Sequence, residues 1–233
     1  MQFFNIQLPE FFWSLFLCCF LLSVICGYFL NRKSQRFEYL RGTVDTRFSM
    51  MDLEFPGTIS SISNIMAGIQ KLSPHKSSIS YKALKNSLYL DFLFMAGLYP
   101  CIFLLCINTA LRMHHAGRVI FLLLAWSQVF AWIFDILENL YLLRKLKYPV
   151  PARVKMHYLY KKMVAAKWFL ATLGAFCSLF ALLYYWVSGS FKKSSVNAGL
   201  IILGILCLAL IYFTYTLVKS MADNKDLAGA NSK

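Results

Sequence analysis

A chain of 233 residues with 59% hydrophobic side chains, 15% charged ones and a positive mean hydropathy is not composed for water, because soluble domains carry about 25% charged residues. Its 24 Lys and Arg against 10 Asp and Glu give +14, yet the excess sits between apolar runs, where it signals topology and attracts anionic head groups. No basic stripe interleaved with exposed aromatics marks a nucleic-acid partner. The seven cysteines (Cys18, Cys19, Cys26, Cys101, Cys106, Cys177, Cys207) lie in apolar runs without CxxC or zinc-ligand spacing, which excludes a disulfide framework.

Phe11 to Leu30 is free of charge and long enough to span a bilayer. Its positive residues, Arg32 and Lys33, follow the run, and Gly27-Tyr28-Phe29 is a poor cleavage site. The run is therefore expected to be an uncleaved anchor with its N-terminus outside. Residues 31–87 form a polar segment with nine Lys or Arg. Within it, Phe48–Phe55 is expected to make a helical turn and Pro56-Gly57 a tight turn. Thr58 or Ser60 is expected to cap a helix on which Ile59, Ile62, Met66 and Ile69 share a face. Such a helix suits either the surface of the inner leaflet or the cytoplasmic ends of the spans. Ser73-Pro74-His75 breaks the pattern.

The second apolar run, about Leu88 to Ala110, contains Asp91 and Pro100, and the proline is expected to kink it. Arg112–Arg118 is a short hairpin. Its His114 and His115 are adjacent, so their rings cannot share one side of a helix, and a hairpin cap fits them better than metal ligation. His75 and His157 fall in loops without ligand spacing. The third run, Val119 to Leu143, is followed by a basic loop to Lys162. The fourth, Met163 to Val187, carries Lys167 one turn inside, and the fifth runs from Val196 to Val218.

The pattern predicts an all-α membrane protein with five transmembrane helices. Residues 1–30 form an anchor helix, 31–87 a cytoplasmic basic and amphipathic segment, 88–218 an antiparallel four-helix bundle and 219–233 a cytoplasmic tail. Segments 31–87, 144–162 and 219–233 hold 19 Lys or Arg against four in the opposite loops. The positive-inside rule then sets the chain N-out and C-in, in a cell (inner or plasma) membrane.

Asp135-Ile136-Leu137-Glu138-Asn139 is the motif with the greatest physical consequence. Asp135, Glu138 and Asn139 fall at i, i+3 and i+4 and share a helix face. A carboxylate at the centre of a span costs roughly 2.5–3.5 kcal/mol, and less near an end. The topology sets Asp91, Asp135, Glu138, Asn139 and Lys167 at a similar depth near the cytoplasmic side, with Tyr212, Tyr215, Thr216 and Lys219 of the fifth run.

Three chemistries suit such a cluster. One is a buried salt-bridge and hydrogen-bond network, with Lys167, and Lys85 or Lys219 besides, answering the acids. A second is a divalent metal (Mg²⁺, Mn²⁺ or Ca²⁺) on Asp91, Asp135 and Glu138 with the Asn139 amide, acting on a phosphate-bearing lipid head group. That enzyme lacks paired Asp-x-x-x-Asp motifs and a Gly-rich phosphate loop. A third is a proton- or ion-coupled carrier, which needs polar groups continuing across the bilayer. Tyr99, Asn108, Ser127, Gln128, Thr172 and Ser178 offer only a thin trail. The first reading is adopted: a non-enzymatic structural, assembly or lipid-interacting component with anionic lipids as partners. The small residues Ala171, Gly174, Ala175 and Ser178 form a strip for close helix packing, within the bundle or between copies.

Overall fold

The computed structural model describes residues 11–188; the expected fifth run, the hairpin before it and the tail lie outside them. The chain divides into two units, Met1–Ser178 and Leu179–Lys233. Helices account for most of the described residues: α1 Phe12–Ser34, α2 Met50–Glu54, α3 Ser61–Lys71, α4 Pro74–Arg112, α5 His115–Lys147 and α6 Val154–Val187. Two short strands, β1 Glu38–Arg41 and β2 Val44–Arg47, complete them. Four helices (α1, α4, α5 and α6) are long and apolar enough to cross a membrane, which marks a multi-pass membrane protein.

α4 begins well before the expected Leu88. Pro74 occupies its first turn, where a missing N–H costs nothing and the fixed φ suits a helix. The residue that interrupts the apolar pattern is thus a helix start. α4 continues through Pro100 to Arg112, and Met113-His114 returns the chain into α5. α1 lies against α4, and Gly97 marks a close approach: a Cβ there would stand 2.6 Å from Ser23 Oγ and 2.7 Å from the Cys19 carbonyl. Gly27 of α1 lies beside Phe94, so the two helices run antiparallel.

The segment between α1 and α4 folds into a small cap. Glu38-Tyr39-Leu40-Arg41 pairs antiparallel with Val44-Asp45-Thr46-Arg47 across Gly42-Thr43. Gly42 takes φ +66°, the left-handed backbone that a two-residue hairpin loop requires. This hairpin escapes a reading for long apolar runs because each strand has only four residues. It packs on α3 at Gly68, where a Cβ would meet the Leu40 carbonyl at 2.7 Å. The expected turn at Phe48–Phe55 is α2, whose Ser49 N–H donates to Asp52 Oδ2 at 2.7 Å. Ser60 stands at the N-cap of α3, but its hydroxyl makes no capping bond; Ser61 Oγ instead accepts the Thr58 N–H at 2.9 Å.

Ile62, Met66 and Ile69 face inward as expected, while Ile59 precedes α3 and is exposed. α3 does not present this face to a leaflet. It buries it in a cluster with Phe37, Phe48, Leu53, Leu84, Leu88, Leu142, Leu146, Tyr160 and Val164. A second apolar cluster, with Met95, Tyr99, Ile102, Cys106, Ala125, Ala131 and Ala171, lies deeper along α4, α5 and α6. Most of the first cluster lies outside the apolar runs, so water drives its burial at roughly 1.5–3 kcal/mol per large side chain. The second is held by packing, because lipid is as apolar as the protein.

Candidate functional site

A polar layer separates the two clusters. On α4, Asp91 lies between Leu88 and Met95; on α5, Asp135, Glu138 and Asn139 lie between Ala131 and Leu142; on α6, Lys167 lies between Val164 and Ala171. Each helix switches from apolar to polar and back within about two turns, and the helical repeat keeps these groups on the inward face.

Lys167 is the hub. Its ammonium donates to Asp135 Oδ1 at 2.7 Å and stands 2.6 Å from Glu138 Oε2, an ion pair off the hydrogen-bond axis. Glu54 Oε1, from α2 in the cap, lies 3.8 Å away. The other carboxylate oxygens are engaged as well. Tyr99 OH donates to Asp135 Oδ2 at 2.8 Å, and the Trp168 indole N–H donates to Glu54 Oε2 at 2.7 Å. Tyr160 OH donates to the Leu53 carbonyl at 3.0 Å and approaches Glu138 Oε1 at 3.4 Å. Glu138 and Asn139 are each 1% exposed and Lys167 5%, so water does little to screen these charges. Burial holds the Glu54 carboxyl above the usual carboxylate range, against the opposing pull of Lys167 and of the Trp168 bond.

Asp91 joins the layer by another route. The Asn139 amide donates to Asp91 Oδ2 at 2.7 Å and to the Leu88 carbonyl at 3.5 Å. The shared face of Asp135, Glu138 and Asn139 therefore serves two partners, Lys167 on α6 and Asp91 on α4. Lys85, expected as a counter-charge, is exposed above the Tyr89 ring, and Lys219 lies outside the described residues.

The residues expected as a metal set, Asp91, Asp135 and Glu138, all lie in this layer. Among the described residues no three or more His, Cys, Asp or Glu are placed to share a metal ion. Lys167 reaches both Asp135 and Glu138, while Asp91 is bound to Asn139. The Lys167 ammonium takes an Asp135 Oδ1 lone pair that a hard cation would use, while Glu138 Oε2 is held by charge alone.

The polar trail is also interrupted. Tyr99, Asn108, Gln128 and Ser178 are buried, but Ser127 and Thr172 donate to carbonyls of their own helices. Gln128 Nε2 donates to the Leu170 carbonyl at 2.9 Å, and Ser178 Oγ to Cys106 Sγ at 3.1 Å. Tyr99 meets Asp135 directly, but between Gln128 and Ser178 and the layer α5 and α6 present Ala131 and Ala171. Gly174 lies against the Gln128 amide and Ser178 against Cys106, so the small-residue strip serves contacts within the chain. His114 precedes α5 and His115 opens it, both exposed.

Residue-pattern reasoning missed Glu54, Trp168, Tyr99 and Tyr160 as members of the layer. Trp168 adjoins Lys167, and Tyr99 lies two helical turns from Asp91, so these two carried a positional signal. Glu54 carried none, because its place depends on how the cap folds. No protein-family model matches the chain, and no curated protein or solved structure shows significant similarity to it.

Proposed function

We propose that the chain is a five-span membrane protein, N-out and C-in, whose polar layer is a structural tie, and that it acts as an assembly or lipid-interacting component of the cell membrane rather than as an enzyme. One observation carries the reading: Lys167 of α6 answers Asp135 and Glu138 of α5 and lies 3.8 Å from Glu54 of the cap. A reaction centre keeps an open coordination position or a path for substrate. Here the polar atoms face one another, between apolar layers on both sides. Such networks specify which helices pair even where their net contribution to stability is small.

The test is Lys167→Met beside Glu138→Gln, in detergent-solubilised protein. Removing the ammonium leaves Asp135 and Glu138 buried without a counter-charge, a loss of roughly 3–5 kcal/mol. Folded yield and melting temperature are expected to collapse in Lys167→Met and to fall less in Glu138→Gln. Wild-type melting in Lys167→Met sinks the structural reading. A stoichiometric divalent metal, found by elemental analysis in wild type and lost in Glu138→Gln, moves the assignment to a lipid-modifying enzyme. Normal yield with a pH-dependent flux abolished by Glu138→Gln moves it to a carrier.

A further inference from the structure

The loop between α5 and α6 and the first turns of α6 carry a surface that the polar layer does not use. Arg144, Lys147, Arg153, Lys155, Lys161 and Lys162 are all exposed. From Asn139 to Ala222 the chain contains no Asp or Glu, and among the described residues no ion pair involves any of these six cations. The cations elsewhere on the cap are partly answered: Lys76 pairs with Asp45 at 2.7 Å and Arg47 approaches Glu38 at 3.9 Å. The positive charge of the α5–α6 segment is thus both dense and uncompensated.

The same segment exposes apolar bulk. Tyr148, Val150, Val154, Tyr158 and Leu159 are each more than half exposed. On α6, Val154, Tyr158 and Leu159 are exposed, whereas His157, Tyr160 and Val164 are buried. Depth gives this surface its meaning. The apolar run of α6 begins at Met163, and Val154–Lys162 adds about 14 Å of helix before it at the α-helical rise. The head-group zone is only about 5–8 Å deep on each face. Lys161 and Lys162 therefore fall at head-group level, Leu159 and Tyr158 about 6–8 Å out at its outer edge, and Lys155 and Arg153 about 12 and 15 Å out, beyond it. Aromatic and aliphatic groups suit the acyl boundary, and cations suit phosphate.

We propose that the α5–α6 rim is a binding surface for anionic phospholipid, seated with head-group phosphate on Lys161 and Lys162, with Tyr158 and Leu159 beside the head group and Arg153 and Lys155 adding positive charge from outside it. This deepens the lipid-interacting reading and rests on it for the membrane setting. It does not depend on which side of the membrane the rim faces. An acidic protein or a nucleic acid would find the charge but would have no use for exposed apolar groups at this depth.

The experiment is native mass spectrometry of the full chain released from detergent, with phosphatidylglycerol and phosphatidylcholine added in equal amounts. Wild type is expected to retain phosphatidylglycerol preferentially. A juxtamembrane cation contributes about fivefold in affinity, so Arg153→Gln/Lys155→Gln/Lys161→Gln/Lys162→Gln is expected to lower that retention at least about tenfold. Arg41→Gln/Lys71→Gln/Lys82→Gln/Lys85→Gln removes the same charge from the rest of the cap side and is expected to leave most of it. Tyr158→Ser/Leu159→Ser, with all cations present, is expected to weaken retention of both lipids. Equal retention of the two lipids by wild type overturns the proposal, as does an equal loss in both charge variants, which marks bulk charge rather than a site. Displacement of the lipid by an RNA fragment overturns it in favour of nucleic acid. The structural reading of the polar layer survives all these failures, because Lys167 is unchanged throughout.

Discussion

Lys167 has three ammonium hydrogens and three carboxylates within 3.8 Å, and this ratio makes the polar layer sensitive to each of its members. Glu54 is the acid that reaches it from outside the spans. Its carboxyl is raised by burial, so the folded protein holds a proton at pH values where the unfolded chain has lost it. Stability from this group is full below the ordinary carboxylate pKa and falls as pH rises through the window up to the raised value. Glu54→Gln keeps the shape and an acceptor for Trp168 but cannot titrate. Melting temperature followed across mildly acid pH is expected to decline in wild type and to flatten in the variant over that window. Identical profiles would show that Glu54 does not couple to folding. Asp135 and Glu138 announce themselves by lying in an apolar run; Glu54 does not, because an acid in a polar segment is unremarkable until the chain folds around it.

Among elements, α1 and α4 meet through the absence of a side chain. A Cβ at position 97 would stand 2.6 Å from Ser23 Oγ and 2.7 Å from the Cys19 carbonyl, and a carbonyl cannot rotate away as a side chain can. Gly97→Leu is therefore expected to push α1 off α4 at a cost of about 1–3 kcal/mol. The loss is read as a lower melting temperature, with Gly57→Leu, where nothing lies within 4 Å of the added Cβ, as the unstrained comparison. A variant at Gly97 that melts like wild type would show that α1 is not held there. The apolar run of α1 was legible from its length alone, but its partner was not. Nothing in the pattern singles out position 97 among the glycines. The early start of α4 at Pro74 was hidden for a related reason: a proline ends a helix or begins one, and only the neighbouring structure decides which.

Across the whole molecule, the cap cluster joins Phe37, Leu53 and Ile62 to Leu146 and Tyr160, so the segment before α4 and the loop between α5 and α6 lie at one end. Met113-His114 lies at the far end of α4 and α5. Segments 31–87 and 144–162 at the cap end hold 16 Lys or Arg, against Arg112 and Arg118 at the far end, so the cap is expected to face the cytoplasm. Val150→Cys and His114→Cys, each placed in a chain whose seven native cysteines are replaced by alanine, check this with a membrane-impermeant maleimide. His114→Cys is expected to label in intact cells and Val150→Cys only after permeabilisation, and the reverse pattern would invert the topology.

The sequence by itself determined the membrane class, the four apolar helices seen here, the face shared by Asp135, Glu138 and Asn139, and the imbalance of basic charge. These follow from composition and from a 3.6-residue repeat, which act along the chain and need no partner. Only the tertiary structure decided that Lys167 lies between Asp135 and Glu138, that Asp91 is held by Asn139, that Glu54 of the cap closes the layer against Trp168 of α6, and that α3 is buried rather than laid on a leaflet. Those outcomes depend on which helices stand side by side. Residues 54 and 167, far apart in sequence, meet only because the cap folds back onto the ends of α4, α5 and α6, and no local pattern records that return.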